Sequence, residues 1–186
     1  QSTADLVFNF LGSATQNNSA TGKLVAGHNL TLANIGMFTN SGGSHPGQDA
    51  SGQYGLYAGR NLTISGNTLT NGSAAITNGS VTPGSTIAGG VLRAATGNVN
   101  LTLGQLINNV DSAIVAVQGD VTATGMRDSG NGHALINQGV IYGGRDVVVS
   151  STPSVGQSAT FDNLGGMLGD GVTPISPLIQ AGRTLS

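Results

Sequence analysis

The chain contains no cysteine, no tryptophan and no glutamate, and charged residues make up only 8% of its 186 positions. Without cysteine it has neither a disulfide framework nor a thiolate metal site, so the fold must be held together by its core. The net charge of −2 and the pI near 5.8 create no long-range field that would attract a phosphate backbone. These absences argue against a nucleic-acid partner, and we expect no metal or other cofactor.

Long apolar runs are also missing. No run reaches the roughly 18 residues that cross a bilayer, so we expect no transmembrane segment. Residues 1–20 lack the basic start and the apolar block of a signal peptide. The last residues, AGRTLS, end partway through a repeated motif, which predicts that the chain is one segment of a larger repetitive protein.

Two stretches of the chain are near copies of each other: AGHNLTL at residues 26–32 and AGRNLTI at residues 58–64. Weaker copies follow, and all of them align on one polar residue after a small turn that contains glycine. The six aligned residues, called anchors below, are Asn29, Asn61, Asn98, Asp120, Asp146 and Thr184. Their spacings of 22 to 38 residues lie in the range where repeated units stack into a solenoid.

A second asparagine landmark follows each of the first five anchors. Its members, which we interpret as corners of the repeat, are Asn40, Asn71, Asn108 with Asn109, Asn137 and Asn163. In the stretch NLTI the apolar Leu62 and Ile64 alternate with Thr63, which is the period of a half-buried strand. No stretch keeps a helical apolar spacing over three turns. Each repeat therefore predicts three short strands rather than a helix.

Three short strands bury their apolar side chains only if equivalent strands of successive repeats stack on one another. Stacking at about 4.8 Å per turn would give a continuous core of Leu, Ile and Val. The sequence therefore predicts an all-β parallel β-helix of about six coils, a single segment over residues 1–186. Irregular loops are expected near residues 41–55, 77–90, 127–133 and 151–160.

The turn before each strand holds two kinds of candidate residue. We interpret seven of them as structural turn residues: Gly27, Gly59, Asn29, Asn61, Asn98, Asp120 and Asp146. Asn and Asp interchange readily where a side chain only has to bond nearby backbone. The position just before the anchor is basic in four repeats, at His28, Arg60, Arg145 and Arg183. Stacked basic side chains can bind an anionic glycan, and the alternative interpretation is that they are simply solvated.

The turns AGRNLTI, AGHNLTL and GGRDVVV, each followed by an asparagine corner and an apolar pair, resemble the repeats of filamentous haemagglutinin-like exoproteins of bacterial two-partner secretion. The resemblance runs from about Lys23 to Ser186. It implies a right-handed β-helical stalk that a partner transporter exports through the outer membrane and that is displayed on the bacterial surface. Members of the family act as adhesins, contact-dependent growth-inhibition effectors or haemolysins.

On this basis we expect a structural stalk and adhesin segment, secreted and exposed on the cell surface, that attaches to a receptor or glycan of host or neighbouring cells. We expect no enzyme activity. Three alternatives stay open: the stalk of a contact-dependent growth-inhibition effector, a passive filament-forming spacer, and a polysaccharide-processing β-helix. For the last, Asp120 and Asp146 are the candidate carboxylates, because glycosidic cleavage uses a pair of them.

Overall fold

The computed structural model describes residues 1–11, 15–18, 22–41, 55–72, 76–77, 80–81, 89–127, 133–153, 159–167 and 174–186. All regular secondary structure within these ranges is β-strand. None of the described residues forms a helix that could cross a membrane. The strands are β1 Leu6–Asn9, β2 Thr15–Asn18, β3 Lys23–Ala26, β4 Leu30–Asn40, β5 Gly55–Ala58, β6 Leu62–Asn71, β7 Ile76–Thr77, β8 Ser80–Val81, β9 Val91–Ala94, β10 Val99–Asn108, β11 Ala113–Ala116, β12 Val121–Met126, β13 His133–Asn137, β14 Val140–Gly143, β15 Val147–Ser151, β16 Thr160–Asn163, β17 Gly166–Met167, β18 Pro174–Ile175 and β19 Leu178–Ala181.

Two parallel sheets carry the fold. The larger has nine strands and follows the order β1-β4-β6-β10-β12-β15, with β2, β13 and β16 paired along its second half. The smaller has six strands in the order β3-β5-β9-β11-β14-β19. The chain passes through both sheets once per coil, and the described residues trace six coils from Asp5 to Thr184. The predicted all-β parallel β-helix of about six coils is confirmed.

The strand pattern differs from the expectation in one respect. In coils two to four the first two segments of the repeat join into one long strand, β4, β6 or β10. These strands bend instead of breaking. The bend lies at Asn34 in β4, where φ is 58°, and at Gly66 in β6, where φ is 147°. Both angles are in the region that L side chains rarely adopt, so a single residue turns the strand onto the next face of the coil.

Inward side chains stack in columns because the coils pair in register. One column begins each repeat and consists of Leu30, Leu62, Val99, Val121 and Val147, all at most 1% exposed. The smaller sheet contributes a facing column of Leu56, Leu92, Ile114 and Ile141. The threonines and asparagines between the inward residues point outward. Period-2 alternation thus separates a continuous apolar core from a polar outer face.

The second asparagine landmark lies inside the coil. Asn40, Asn71, Asn108 and Asn137 are each 0% exposed. Five hydrogen bonds of 2.7 to 2.8 Å run from side-chain amide nitrogen to side-chain amide oxygen and join Asn18, Asn40, Asn71, Asn108, Asn137 and Asn163. The remaining amide hydrogens donate to main-chain carbonyl oxygens such as Gly90 O. This internal ladder pairs the buried amide groups of Asn40, Asn71, Asn108 and Asn137 within the protein.

The corner before each anchor brings main chains of adjacent coils into contact. A Cβ atom placed on Gly59 would lie 1.9 Å from the carbonyl oxygen of Gly27, and one on Gly27 would lie 2.2 Å from that of Thr3. No side chain fits at such distances, so this corner requires glycine. The predicted loops 41–55, 77–90, 127–133 and 151–160 lie largely outside the described residues. Two short antiparallel pairs, β7 with β8 and β17 with β18, lie within coils three and six, where the chain passes from the larger sheet to the smaller one.

Candidate ligand groove

The anchors form a second ladder, on the outer surface. The main-chain N–H of each anchor donates to the Oδ1 atom of the anchor in the preceding coil, with six such bonds of 2.9 to 3.3 Å. The series is Asp5, Asn29, Asn61, Asn98, Asp120, Asp146 and Thr184. Asn and Asp are interchangeable at the anchor position, because the main-chain N–H of the next anchor needs only a side-chain oxygen as its acceptor.

Asp5 is an anchor that the repeat alignment missed. Its strand pairs in register with the next one, Leu6 opposite Leu30, and its carboxylate accepts bonds from both the main-chain nitrogen and the side-chain nitrogen of Asn29. The preceding residues, STA, lack the glycine turn that marks the other copies. The alternation in LVFN was the one available signal.

Two of the four basic residues are engaged in ion pairs along the anchor ladder. Arg145 holds Asp120 of the preceding coil in a side-on arrangement, with Nε to Oδ1 at 3.1 Å and Nη2 to Oδ2 at 2.7 Å. Arg183 pairs with Asp146 of the preceding coil through a single bond, Nη2 to Oδ2 at 2.8 Å. These arginines were predicted as solvated or ligand-facing, and the structure instead gives each a carboxylate of its own chain.

Arg60 occupies the equivalent position three coils before Arg145, directly before the anchor Asn61. Its main-chain nitrogen donates to the carbonyl oxygen of His28 at 2.7 Å, as that of Arg183 donates to Arg145. The anchor of its preceding coil is Asn29, an amide, where Arg145 and Arg183 meet aspartates. Both Arg60 and His28 are exposed, and neither takes part in an ion pair among the residues that the structure describes. Arg60 therefore carries a charge without an internal counterion.

A groove of about 440 Å³ runs along this part of the outer face. It is lined by four successive anchors and by the outward residues two positions after them, namely Asp5, Asn29, Asn61, Asn98, Val7, Thr31, Thr63 and Asn100. Its volume falls in the usual range for ligand sites. Four coils span about 14 Å at the strand spacing, so the groove suits an elongated ligand that lies along the rod axis.

The lining offers hydrogen-bonding groups that the protein itself leaves unused. Among the described residues, the hydroxyls of Thr31 and Thr63, the side-chain amide of Asn100 and the Nδ2 atom of Asn98 have no hydrogen-bond partner within the chain. Gly97 leaves the groove open beside Asn61, since a Cβ there would lie 2.3 Å from Asn61 Oδ1. The arrangement can bind hydroxyl-rich molecules, and it contains no nucleophile with an adjacent base.

The carboxylates of Asp120 and Asp146 lie on adjacent coils, as the polysaccharide-processing alternative requires. Each of them, however, accepts a main-chain N–H and an arginine side chain. A further ion pair joins His133 to Asp162 between coils five and six. Within the described part of the chain, no group of three or more potential metal-ligating side chains comes together.

The anchors thus form a continuous outer ladder, and the basic residues divide into a paired set, Arg145 and Arg183, and an uncompensated set, His28 and Arg60. The repeat alignment put the other anchors in one column and the basic residues in the position before it, but it missed Asp5 and did not predict the groove. Comparison of the chain with protein-family models, with curated proteins and with solved structures gives no match. The groove and the resemblance of the repeats are therefore the two features of this chain that indicate a function.

Proposed function

We propose that the chain is an adhesive rod segment of a filamentous haemagglutinin-like exoprotein, exported by two-partner secretion through an outer-membrane transporter. In this role it is extracellular and attaches the bacterial surface to host or neighbouring cells. The groove of about 440 Å³ on the outer face is the observation that carries the proposal, because its lining presents a row of hydroxyl and amide groups that a ligand can engage.

Two further features support the assignment. The two ladders and the stacked columns give a rigid scaffold without disulfides, which suits a chain that crosses a membrane pore unfolded and folds outside. The repeats AGHNLTL and AGRNLTI, which carry the resemblance, provide the anchors Asn29 and Asn61 in the middle of the groove. The same residues therefore close the coils and line the candidate site.

Cell attachment by the isolated chain tests the proposal. The chain has no cysteine, so a single cysteine can carry a bulky maleimide-linked polymer at a chosen place. Asn100→Cys places the polymer in the groove, and Gln180→Cys places it on an exposed position of the smaller sheet. Beads coated with unlabelled chain should attach to epithelial or bacterial cells, and the label at position 100 should abolish attachment.

The label at position 180 is the control and should leave attachment intact. If both labels acted alike, the groove would not be the adhesive surface. If unlabelled beads failed to attach to any cell type, the passive filament-forming spacer would replace the adhesin as the better account.

A further inference from the structure

We propose that the groove binds an oligosaccharide that carries carboxylate groups, a uronate- or sialate-containing glycan, and that Arg60 pairs with one of these carboxylates. The inference rests on the proposed adhesive function and names the ligand class of the same groove. The basic residues that precede the later anchors, Arg145 and Arg183, show which group this position binds.

The position before the anchor is built to hold a carboxylate. Arg145 contacts both oxygens of Asp120, and Arg183 contacts Asp146 in the next coil. In each case the partner is the anchor of the preceding coil. The side-on pairing of Arg145 is among the stronger charge-assisted interactions because the planar guanidinium matches the carboxylate.

Arg60 has the same backbone position but lacks the carboxylate. The residue in the place of Asp120 is Asn29, whose Oδ1 atom already accepts bonds from the main-chain and side-chain nitrogens of Asn61. A ligand carboxylate beside Asn29 would therefore supply what Asp120 supplies to Arg145. Asn29 and Asn61 both line the groove, and Arg60 directly precedes Asn61 in the chain.

The charges in and beside the rest of the groove are unfavourable for a densely charged polyanion. Asp5 contributes a carboxylate at one end, and beyond Asn98 the next basic side chain, Arg145, is occupied by Asp120. His28, whose main-chain nitrogen donates to the carbonyl oxygen of Ala4, is the other basic group on this side. One arginine and one carboxylate, neither of which has an oppositely charged partner among the described residues, do not suit a nucleic acid or a heavily sulfated chain.

Uncharged polar groups make up most of the remaining lining. Thr31, Thr63 and Asn100 present hydroxyl and amide groups at intervals of about 4.8 Å along the axis, and Asn98 adds an amide on the same coil as Asn100. Extended glycans present sugar hydroxyls at a similar repeat. A chain with neutral sugars between acidic ones therefore matches both the hydroxyl row and the single arginine.

Asn and Asp can be exchanged within the anchor column without a change of shape, because both residues already occur there in folded coils. Such exchanges therefore test the role of charge at this position.

Binding of the 186-residue chain is measured by calorimetry against a panel of uronate- and sialate-containing tetrasaccharides and their carboxyl-reduced forms. Arg60→Gln should weaken binding at least about tenfold, which is the size expected for a lost charge-assisted bond. Arg183→Gln removes an arginine that is already paired and should change binding less than about twofold.

Asn29→Asp gives Arg60 an internal partner and should weaken binding as much as Arg60→Gln does. Asp5→Asn removes a like charge from the groove and should strengthen binding of the acidic glycans only. Far-ultraviolet circular dichroism of each variant verifies that the fold is retained. Equal binding of the carboxyl-reduced glycans, equal losses in Arg60→Gln and Arg183→Gln, or no binding by any member of the panel would overturn the inference.

Cell attachment separates this inference from the function on which it rests. Beads that attach through the groove and are unaffected by Arg60→Gln would leave the adhesive role standing and remove the acidic ligand. Beads that do not attach at all would remove the adhesive role itself.

Discussion

The side-chain nitrogen of Asn71 donates a 2.8 Å hydrogen bond to Oδ1 of Asn108 in the next coil, and both side chains are fully buried. The same nitrogen also donates to the carbonyl oxygens of Gly90 and Ala113, while Asn71 Oδ1 accepts from Asn40. A buried amide with this many partners fixes the corner of one coil against its neighbours on both sides.

Removal of the Asn71 amide should destabilise the protein strongly. Asn71→Ala leaves the Asn108 Oδ1 atom buried without its donor, which costs about 1–3 kcal/mol. It also removes the other bonds of the Asn71 amide, including the one from the Asn40 nitrogen, which still donates to the carbonyl oxygen of Val91. We expect the free energy of unfolding to fall by roughly 3–5 kcal/mol in urea titrations followed by circular dichroism. Asn163→Ala, at the exposed end of the same ladder, is the control and should cost less than about 1 kcal/mol. Similar losses in the two variants would mean that the ladder does not stabilise the core.

Gly59 should tolerate no side chain. A methyl group there would lie 1.9 Å from the Gly27 carbonyl oxygen, so Gly59→Ala forces two coils apart at their closest main-chain contact. We expect a loss of at least about 2 kcal/mol in the free energy of unfolding, measured by thermal denaturation. Arg60→Ala, at the exposed neighbouring position, should stay within about 0.5 kcal/mol of the parent chain. A Gly59→Ala variant as stable as the parent would contradict the corner geometry.

The hydroxyl of Thr63 should contribute to ligand binding and not to stability. Thr63 lines the groove, whereas Thr122 lies in the same outward column two coils further along and outside the groove. Thr63→Val keeps the shape and strand preference but removes the hydroxyl, so we expect about three- to tenfold weaker binding of acidic tetrasaccharides in calorimetry. Thr122→Val should bind like the parent chain. Equal effects of the two changes would place the ligand elsewhere on this face.

The parallel β-helix could be predicted from the sequence because the patterns that specify it are local and repeated. Alternation such as Leu62, Thr63, Ile64 specifies which side chains point inward, and the recurrence of anchors specifies which strands stack. The first coil was missed because Asp5 follows no glycine turn. The merging of strands in coils two to four was also not foreseen, since it depends on single residues such as Asn34 and Gly66 that adopt unusual main-chain angles.

The candidate site was harder to predict because it consists of contacts between residues 22 to 38 positions apart. The alignment placed Arg60 and Arg145 in one column and treated them alike. Only the stacked coils distinguish them, because the partner of each is the anchor one coil earlier: Asn29 in the first case and Asp120 in the second. The inward direction of Asn71, interpreted from sequence only as a corner, likewise follows from the register of the coils.

Coil-to-coil register is the central claim, since both ladders and the groove exist only if Thr63 lies beside Asn100. The absence of native cysteine allows a direct measurement by disulfide trapping. Thr63→Cys with Asn100→Cys places the two Cα atoms about one strand spacing apart, within the reach of a disulfide, whereas Thr63→Cys with Thr122→Cys places them about 10 Å apart. Under mild oxidation the first pair should cross-link nearly completely within the monomer and the second should stay reduced. Cross-linking of the second pair, or failure of the first in a folded chain, would contradict the account.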